Sequence, residues 1–360
     1  MARRKNDYLF IPQRRRSHVG TWLLILLLLI ALIAAVLVIN HTTNKTVVLS
    51  TEKVHLMGLD KNYEGFTVLF ISDLEASELG NDAAQWKEKL KAKTYHAVVL
   101  GGDMVGPEGN DEPLISLIHT LTTIRPDAPI FFIAGDDDPE PIPSKARGTP
   151  KVRASWIENA EAAGGIYLDA PMSVAFGKKT IWFSPQYLYE VDVDGMLGSL
   201  AKQRETMEEM GTQYDAEGGA AYRALNYRID VYQRTSMALK NMQQGDLQIA
   251  VNHVPLDASY VRESLEWADT SKTYNFRNIS LLLSGHYCGG QWRLPGGSKA
   301  LYVPELGWFQ DASKLAGMQR INSLNQYISP GLGSSHFYPQ KGRLFNQPTA
   351  TLISYTARLE

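Results

Sequence analysis

The 360-residue sequence contains a single cysteine, Cys288, so no disulfide can form within the chain. A folded domain of this protein must therefore be stabilised by its hydrophobic core, with or without a bound metal. Net charge is also small, because 36 basic residues stand against 38 acidic residues. A protein that follows the phosphates of a nucleic acid normally has a clearly basic domain, so we expect no nucleic-acid partner.

Long hydrophobic runs are missing from the sequence except for one near its start. The eighteen residues from Trp22 to Ile39 are all apolar, and as a helix they would span roughly 27 Å, close to the ~30 Å hydrocarbon core of a bilayer. We therefore predict a transmembrane anchor over residues 21–40. A cleaved signal peptide is the alternative, but its apolar region is usually only about 7–15 residues long.

The charges beside this run indicate its orientation. Basic residues cluster before it, whereas only Lys45 lies close behind it. Because basic segments stay on the cytoplasmic side, we predict a cytoplasmic N-terminal segment at 1–20. The same rule places a polar linker at 41–50 and one large domain at 51–360 outside the cytoplasm, with the chain attached to the cell membrane.

Five short apolar segments in this domain end at residue types that bind metals. These residues are Asp73, Asp103, Asp136, His253 and His286. Segments of this kind are typical of strands buried on both faces of an α/β sheet, and ligands bind beyond the carboxyl ends of such strands. A lone aspartate there is more often a helix N-cap, and a lone histidine is more often structural.

Taken together, however, the five residues favour a metal site. Several carboxylates brought to one edge of a sheet would repel one another, and a bound cation is the natural compensation for that repulsion.

The motifs SDLE, GGD, GDDD, NH and SGHYCGGQ follow one another in an order that resembles the calcineurin-like metallophosphoesterases. The similarity is greatest to the membrane-anchored bacterial members, and it extends from about Val54 to the end of the sequence. This resemblance implies an αββα fold with two packed sheets. It also implies two divalent metal ions and the hydrolysis of phosphate mono- or diesters by metal-bound hydroxide.

The sequence departs from the family pattern at several ligand positions. Glu75 and Cys288 each replace a histidine, and Asp136 and Asp137 replace the asparagine and histidine of GNH. The resemblance then implies one metal bound by Asp73, Glu75, Asp103 and Cys288, and a second bound by Asp103, Asp136, His253 and His286. Each replacement can itself bind a metal, and the set suits zinc, manganese or iron.

Asp137 and His253 are the predicted catalytic residues. Asp137 stands where the family has a histidine close to the leaving group, and it can donate a proton there only if neighbouring carboxylates raise its pKa. His336, in the loop GLGSSHFYP, is a second candidate for this role. A surface histidine without a catalytic role is the more common interpretation.

Residues 187–245 form a long insertion between two predicted strands. Their apolar spacing predicts a helical hairpin, with the break at Gly218 and Gly219. One interpretation is a helix pair packed on the flank of the domain, and the other is a cap over the active site.

The leading functional hypothesis is a membrane-tethered phosphoesterase whose substrate is a phosphorylated lipid, an envelope precursor or a nucleotide. The main alternative is a catalytically weak or inactive metal-binding relative that acts as a binding module at the cell envelope. An interaction module without any metal is a third possibility, which elemental analysis separates from the other two.

The predicted orientation is testable in intact cells. Because the basic cluster lies before the apolar run, protease added outside intact cells or protoplasts should digest the domain. Western blotting with an antibody against the domain measures this. A domain that stays protected until the cells are lysed would mean that the orientation is reversed.

Overall fold

The computed structural model describes residues 18–44, 46–77, 83–143, 152–214, 216–339 and 342–357. The N-terminal basic residues used above to predict orientation lie outside these ranges. The chain divides into two compact units, Met1–Thr43 and Asn44–Glu360.

A single helix, α1 (Val19–Thr43), makes up the described part of the first unit. Its 25 residues are long and apolar enough to cross a membrane, with a mean hydropathy of 3.4 over the candidate span. Length and composition of this kind fit both a membrane anchor and a signal sequence. The predicted apolar helix is therefore present, and its orientation stays a prediction.

The second unit contains six α-helices and fifteen strands among its described residues. The helices are α2 (Ala83–Lys91), α3 (Glu112–Ile124), α4 (Ser155–Ala162), α5 (Val193–Glu209), α6 (Ala216–Asn241) and α7 (Ala258–Trp267). The strands are β1 (Val48–His55), β2 (Thr67–Ile71), β3 (Ala97–Leu100), β4 (Ile130–Phe132), β5 (Gly165–Tyr167), β6 (Met172–Phe176), β7 (Lys179–Pro185), β8 (Leu247–Val251), β9 (Ile279–Ser284), β10 (Trp292–Arg293), β11 (Ala300–Val303), β12 (Gly307–Trp308), β13 (Gly317–Ile321), β14 (Leu324–Ile328) and β15 (Thr349–Thr356).

Twelve of these strands form two large sheets. The first sheet has the order β1-β15-β2-β3-β4-β5 and the second the order β13-β14-β9-β8-β7-β6, while β10, β11 and β12 form a small third sheet. Strands β2 to β5 are parallel to one another, and so are β14, β9, β8 and β7. The prediction of a mixed α/β fold with two large sheets is confirmed.

One face of each sheet packs against the other sheet. Alternate residues of β2, such as Val68 and Phe70, share a buried cluster with Phe183 of β7, Ile249 of β8 and Leu283 of β9. Because side chains alternate across a strand, the intervening residues point to the opposite face.

Helices cover those opposite faces. Leu69 and Leu100 of the first sheet pack in one cluster with residues of α2, α3 and α4. Leu282 of the second sheet packs in another cluster with residues of α5, α6 and α7. Strands buried on both sides explain the continuous apolar segments of the sequence.

The insertion is a helical hairpin whose break differs from the predicted one. Helix α5 ends at Glu209, and Gly211 follows with a φ of 69°, a left-handed conformation that glycine adopts without strain. Gly218 and Gly219, the predicted break, lie inside α6. Leu200 and Leu225 of the two helices are buried against the second sheet, as expected for a pair packed on the flank.

The predicted linker also differs from the structure at its end. Strand β1 begins at Val48, so residues 48–50 belong to a sheet rather than to a polar connection. They pair in parallel with Thr349–Thr351 of β15. This partner lies about 300 residues further along the chain, so local sequence gives no sign of it.

Candidate metal centre

The backbone is strained where the predicted ligands lie. Asp73, Glu75, Asp103, His286 and Cys288 all have φ between 47° and 75°. Residues other than glycine rarely adopt this left-handed region, and such strain concentrates at functional sites. The strain therefore supports a functional site at the carboxyl ends of β2, β3 and β9.

Two glycines allow the strand ends to approach one another closely. A Cβ atom on Gly135 would lie 2.0 Å from Asp103 Oδ1, and one on Gly102 would lie 2.6 Å from His253 Nδ1. Gly102 also has a φ of 94°. Glycine is required at both positions, because any side chain would push the loops after β3 and β4 apart.

Four predicted ligands come together in what we call the first group: Asp103, Asp136, His253 and His286. Each offers one ligand atom, and these four atoms all lie within 4.8 Å of one another. His253 Nε2 is 2.8 Å from Asp103 Oδ2 and 3.1 Å from Asp136 Oδ1. His286 Nδ1 is 2.9 Å from the same oxygen of Asp136. The group thus joins the ends of two strands from each sheet.

Hydrogen bonds outside the group orient its two imidazoles. His253 Nδ1 lies 2.7 Å from the carbonyl oxygen of Gly101, which leaves Nε2 directed at the carboxylates. His286 Nε2 lies 2.8 Å from Glu305 Oε1. Partners of this kind usually fix the orientation of histidines that bind metals. Glu305 was missed at the sequence level, because it lies in a turn between β11 and β12 that matches no predicted motif.

The charges of the first group are balanced within it. Burial raises the pKa of Asp103 to about 6. Burial also acts to raise the pKa of Asp136, but hydrogen bonds from His253 and His286 outweigh it and hold that pKa well below the usual range. For both histidines burial acts to lower the pKa, and their hydrogen bonds to carboxylates raise it, to about 9 for His286. The two imidazoles and the two carboxylates therefore stabilise one another's charged forms.

The donors of the first group fit a divalent metal ion. Two carboxylates and two imidazoles from four separate strand ends suit zinc, manganese or iron. Asp103 and His253 are buried, while the Asp136 side chain is 38% exposed. An ion held here would therefore be accessible from one side only.

Glu75 and Asp137 lie elsewhere, in what we call the second group, together with His336. Ligand atoms of these three residues also lie within 4.8 Å of one another. Asp137 Oδ2 is 2.5 Å from His336 Nδ1. Burial is the main cause that raises the pKa of Asp137, in the direction that a proton donor requires. The sequence favours a surface role for His336, because nothing in the local sequence of a loop indicates its contact with Asp137.

Asp73 and Cys288 belong to neither group, which differs from the ligand set implied by the resemblance. Asp73 accepts hydrogen bonds from the Ser72 hydroxyl and, at 2.8 Å, from the backbone N–H of His286. Cys288 is fully buried, and burial raises the pKa of its thiol well above the ordinary value. Metals bind the thiolate rather than the thiol, and the Cys288 sulfur is not among the ligand atoms of either group.

Asp138, the third aspartate of GDDD, has a structural position. Its two carboxylate oxygens accept hydrogen bonds from the backbone N–H groups of Met104, Val105, Gly106 and Gly135, at 2.8–3.2 Å. The side chain thereby joins the loop after β3 to the loop after β4. Those two loops position Asp103 and Asp136 respectively.

No protein-family model matches this sequence, and no curated protein matches it. A solved structure of phosphopantetheinyl hydrolase (PptH) from Mycobacterium tuberculosis is similar over 74% of this chain and 91% of that one, with 12% sequence identity and a TM-score of 0.33. A similarity this low carries no argument about fold or activity.

Replacing Asp138 should destabilise the second unit. The Asp138→Ala change leaves four backbone N–H groups without an acceptor, and each such buried donor costs about 1–3 kcal/mol. We expect the free energy of unfolding, measured by urea denaturation, to fall by at least about 3 kcal/mol. Asp257→Ala is the control, because this exposed helix cap accepts two backbone hydrogen bonds and its loss costs about 1 kcal/mol. Equal losses in the two variants would contradict the structural role.

Proposed function

We propose that this chain is a metal-dependent phosphoesterase of the metallophosphoesterase type, attached to the membrane through α1. The first group, in which Asp103, Asp136, His253 and His286 converge at parallel strand ends, is the observation that supports this best. It gathers oxygen and imidazole donors from both sheets at the edge where α/β proteins bind ligands.

The layered arrangement is consistent with this proposal. Two sheets pack face to face and helices cover their outer faces, which is the order of layers in the proposed αββα sandwich. Reaction chemistry would come from the bound ion, which polarises phosphoryl oxygens and lowers the pKa of a bound water.

The residues of the chain would bind and orient that ion. His253 presents Nε2 because the carbonyl of Gly101 holds its other nitrogen, and Asp103 faces the same imidazole from the neighbouring loop. The exposed side of Asp136 leaves an approach for a phosphate ester. The catalytic roles of Asp137 and His253 remain predictions from the sequence.

We also propose that the second unit lies outside the cytoplasm and acts on a substrate close to the bilayer. The apolar character of α1 supports the membrane tether. The N-terminal basic residues of the sequence support the orientation. A phosphorylated lipid or an envelope precursor would be a substrate within reach of such a tether.

A catalytically weak metal-binding relative is the second candidate. Asp73 and Cys288, which the resemblance assigns to one of its two metals, stand outside both groups. A protein of this kind would bind an ion at the first group but would not hydrolyse phosphate esters.

Metal binding and turnover separate these two candidates. We expect the full-length protein in detergent to retain a divalent ion, to lose thermal stability on chelation, and to hydrolyse an aryl phosphodiester after reloading with manganese or zinc. Losing an outer partner of a metal ligand already lowers metal affinity or activity by about 10–100-fold. His253→Ala, which removes a ligand itself, should therefore reduce the rate by at least about 100-fold and reduce the effect of the chelator on Tm.

His119→Ala is the matched control, because this histidine is exposed on α3 away from both groups. Bound metal without hydrolysis would favour the binding module. A metal-free protein with a chelator-insensitive Tm would reject both candidates.

A further inference from the structure

The second group has the make-up of a metal site in its own right. Glu75 follows β2, Asp137 follows β4 and His336 lies in the loop after β14, so three separate segments supply its ligand atoms. All of these atoms lie within 4.8 Å of one another. Convergence of two carboxylates and an imidazole from distant parts of the chain is not a property of one local turn.

One atom of the second group has no partner in the described structure. Glu75 Oε1 is buried, and it forms no hydrogen bond with any described residue. Buried carboxyl oxygens are normally hydrogen-bonded or bound to a cation, because a buried polar atom without a partner is unfavourable.

The surroundings of Glu75 are strongly acidic. Four other acidic side chains are close enough for their charges to act on Glu75: Asp103, Asp137, Asp73 and Asp138. The imidazole of His336, 2.5 Å from Asp137, is the basic partner within the group. A cation placed among these side chains would relieve the repulsion between their carboxylates.

We propose that Glu75, Asp137 and His336 bind a second divalent cation beside the ion of the first group. This inference rests on the proposed function for the first group but changes the ligands expected for the other ion. Asp73 and Cys288 are replaced by Asp137 and His336, neither of which the resemblance assigns to a metal.

The two groups are directly connected. Asp136 and Asp137 are consecutive residues, and the backbone N–H of Asp137 donates a hydrogen bond of 2.8 Å to Asp103 Oδ1. The His336 side chain is 41% exposed, so the second ion would keep open positions for water or a phosphate oxygen. Two carboxylates and one imidazole suit manganese, iron or zinc.

The proposed site changes the role of one predicted catalytic residue. Asp137 cannot bind a cation through its carboxylate and hold a proton for a leaving group at the same time. With the second ion bound, Asp137 is a ligand, and the positive charge beside the substrate comes from the ion.

The stoichiometry of manganese tests this directly. Full-length protein in detergent is stripped with EDTA, loaded with Mn²⁺, freed of excess metal and analysed by mass spectrometry for bound ions. We expect about two ions per chain in the unchanged protein, as in paired sites whose metals lie ~3.5–4 Å apart. Glu75→Gln, His336→Ala and His253→Ala should each retain about one ion, and the His253→Ala/His336→Ala double variant should retain none.

Electron paramagnetic resonance supplies an independent readout. Neighbouring Mn²⁺ ions couple magnetically, so the unchanged protein should give a broadened signal. Glu75→Gln and His336→Ala should give the resolved hyperfine pattern of an isolated ion. Glu75→Gln keeps the size of the side chain, and far-UV circular dichroism in EDTA confirms that each variant is folded before loading.

Two further variants identify the ligands. His119→Ala, an exposed histidine on α3, and Cys288→Ala should both keep two ions and the coupled signal. If Cys288→Ala loses an ion while His336→Ala keeps both, the second ion lies at the ligand set implied by the resemblance, and our proposal is wrong.

A single ion that His253→Ala loses and His336→Ala keeps would also overturn the proposal, while leaving the proposed function of the first group intact. Absence of any bound ion in the unchanged protein would overturn both.

Discussion

Repulsion between carboxylates is the main constraint on the edge of the two sheets at which the first and second groups lie. Buried aspartates and a glutamate reach it from β2, β3 and β4, and their hydrogen-bonding environments differ. Asp138 is satisfied by four backbone N–H groups, and Asp103 faces the imidazole of His253. Glu75 has one oxygen that no described residue satisfies. The acidic residues are therefore not interchangeable, because Asp138 connects two loops whereas Glu75 is a candidate metal ligand.

Two backbone features allow these carboxylates to lie close together. One is the left-handed conformation of several ligand-type residues, and the other is the close approach of two loops at glycine positions. The turns after β2, β3 and β9 place ligand-type side chains at positive φ, and Gly135 lets the neighbouring loop pass against Asp103. Each such feature lowers stability locally, so extensive burial elsewhere must offset it. The core between the two sheets, together with the helices on their outer faces, supplies that burial.

Much of this arrangement could be predicted, because the carboxyl ends of parallel strands lie at the same edge of a sheet. Residues that follow such strands in sequence are therefore close in space. Asp103, Asp136, His253 and His286 follow four such strands, and they meet as expected. Cys288 lies two residues after His286 in the same motif, but the sequence does not reveal that its side chain is fully buried outside both groups. His336, by contrast, lies in a loop without a recognisable motif, and only its contact with Asp137 places it in the second group. Glu305 and the pairing of β1 depend on contacts far apart in sequence, which local patterns do not encode.

The position of β15 also bears on how the second unit forms. This last described strand lies between β1 and β2, pairing with both, so the first sheet has a gap until residues 349–356 are available. During synthesis, about 300 further residues must be added after β1 before its partner strand β15 is available. Pairings between such distant segments form slowly, because the entropy cost of closing a long loop comes before any stabilising contact is made. Loss of β15 would therefore separate β1 from the rest of the first sheet, because β15 is an internal strand and not an edge strand.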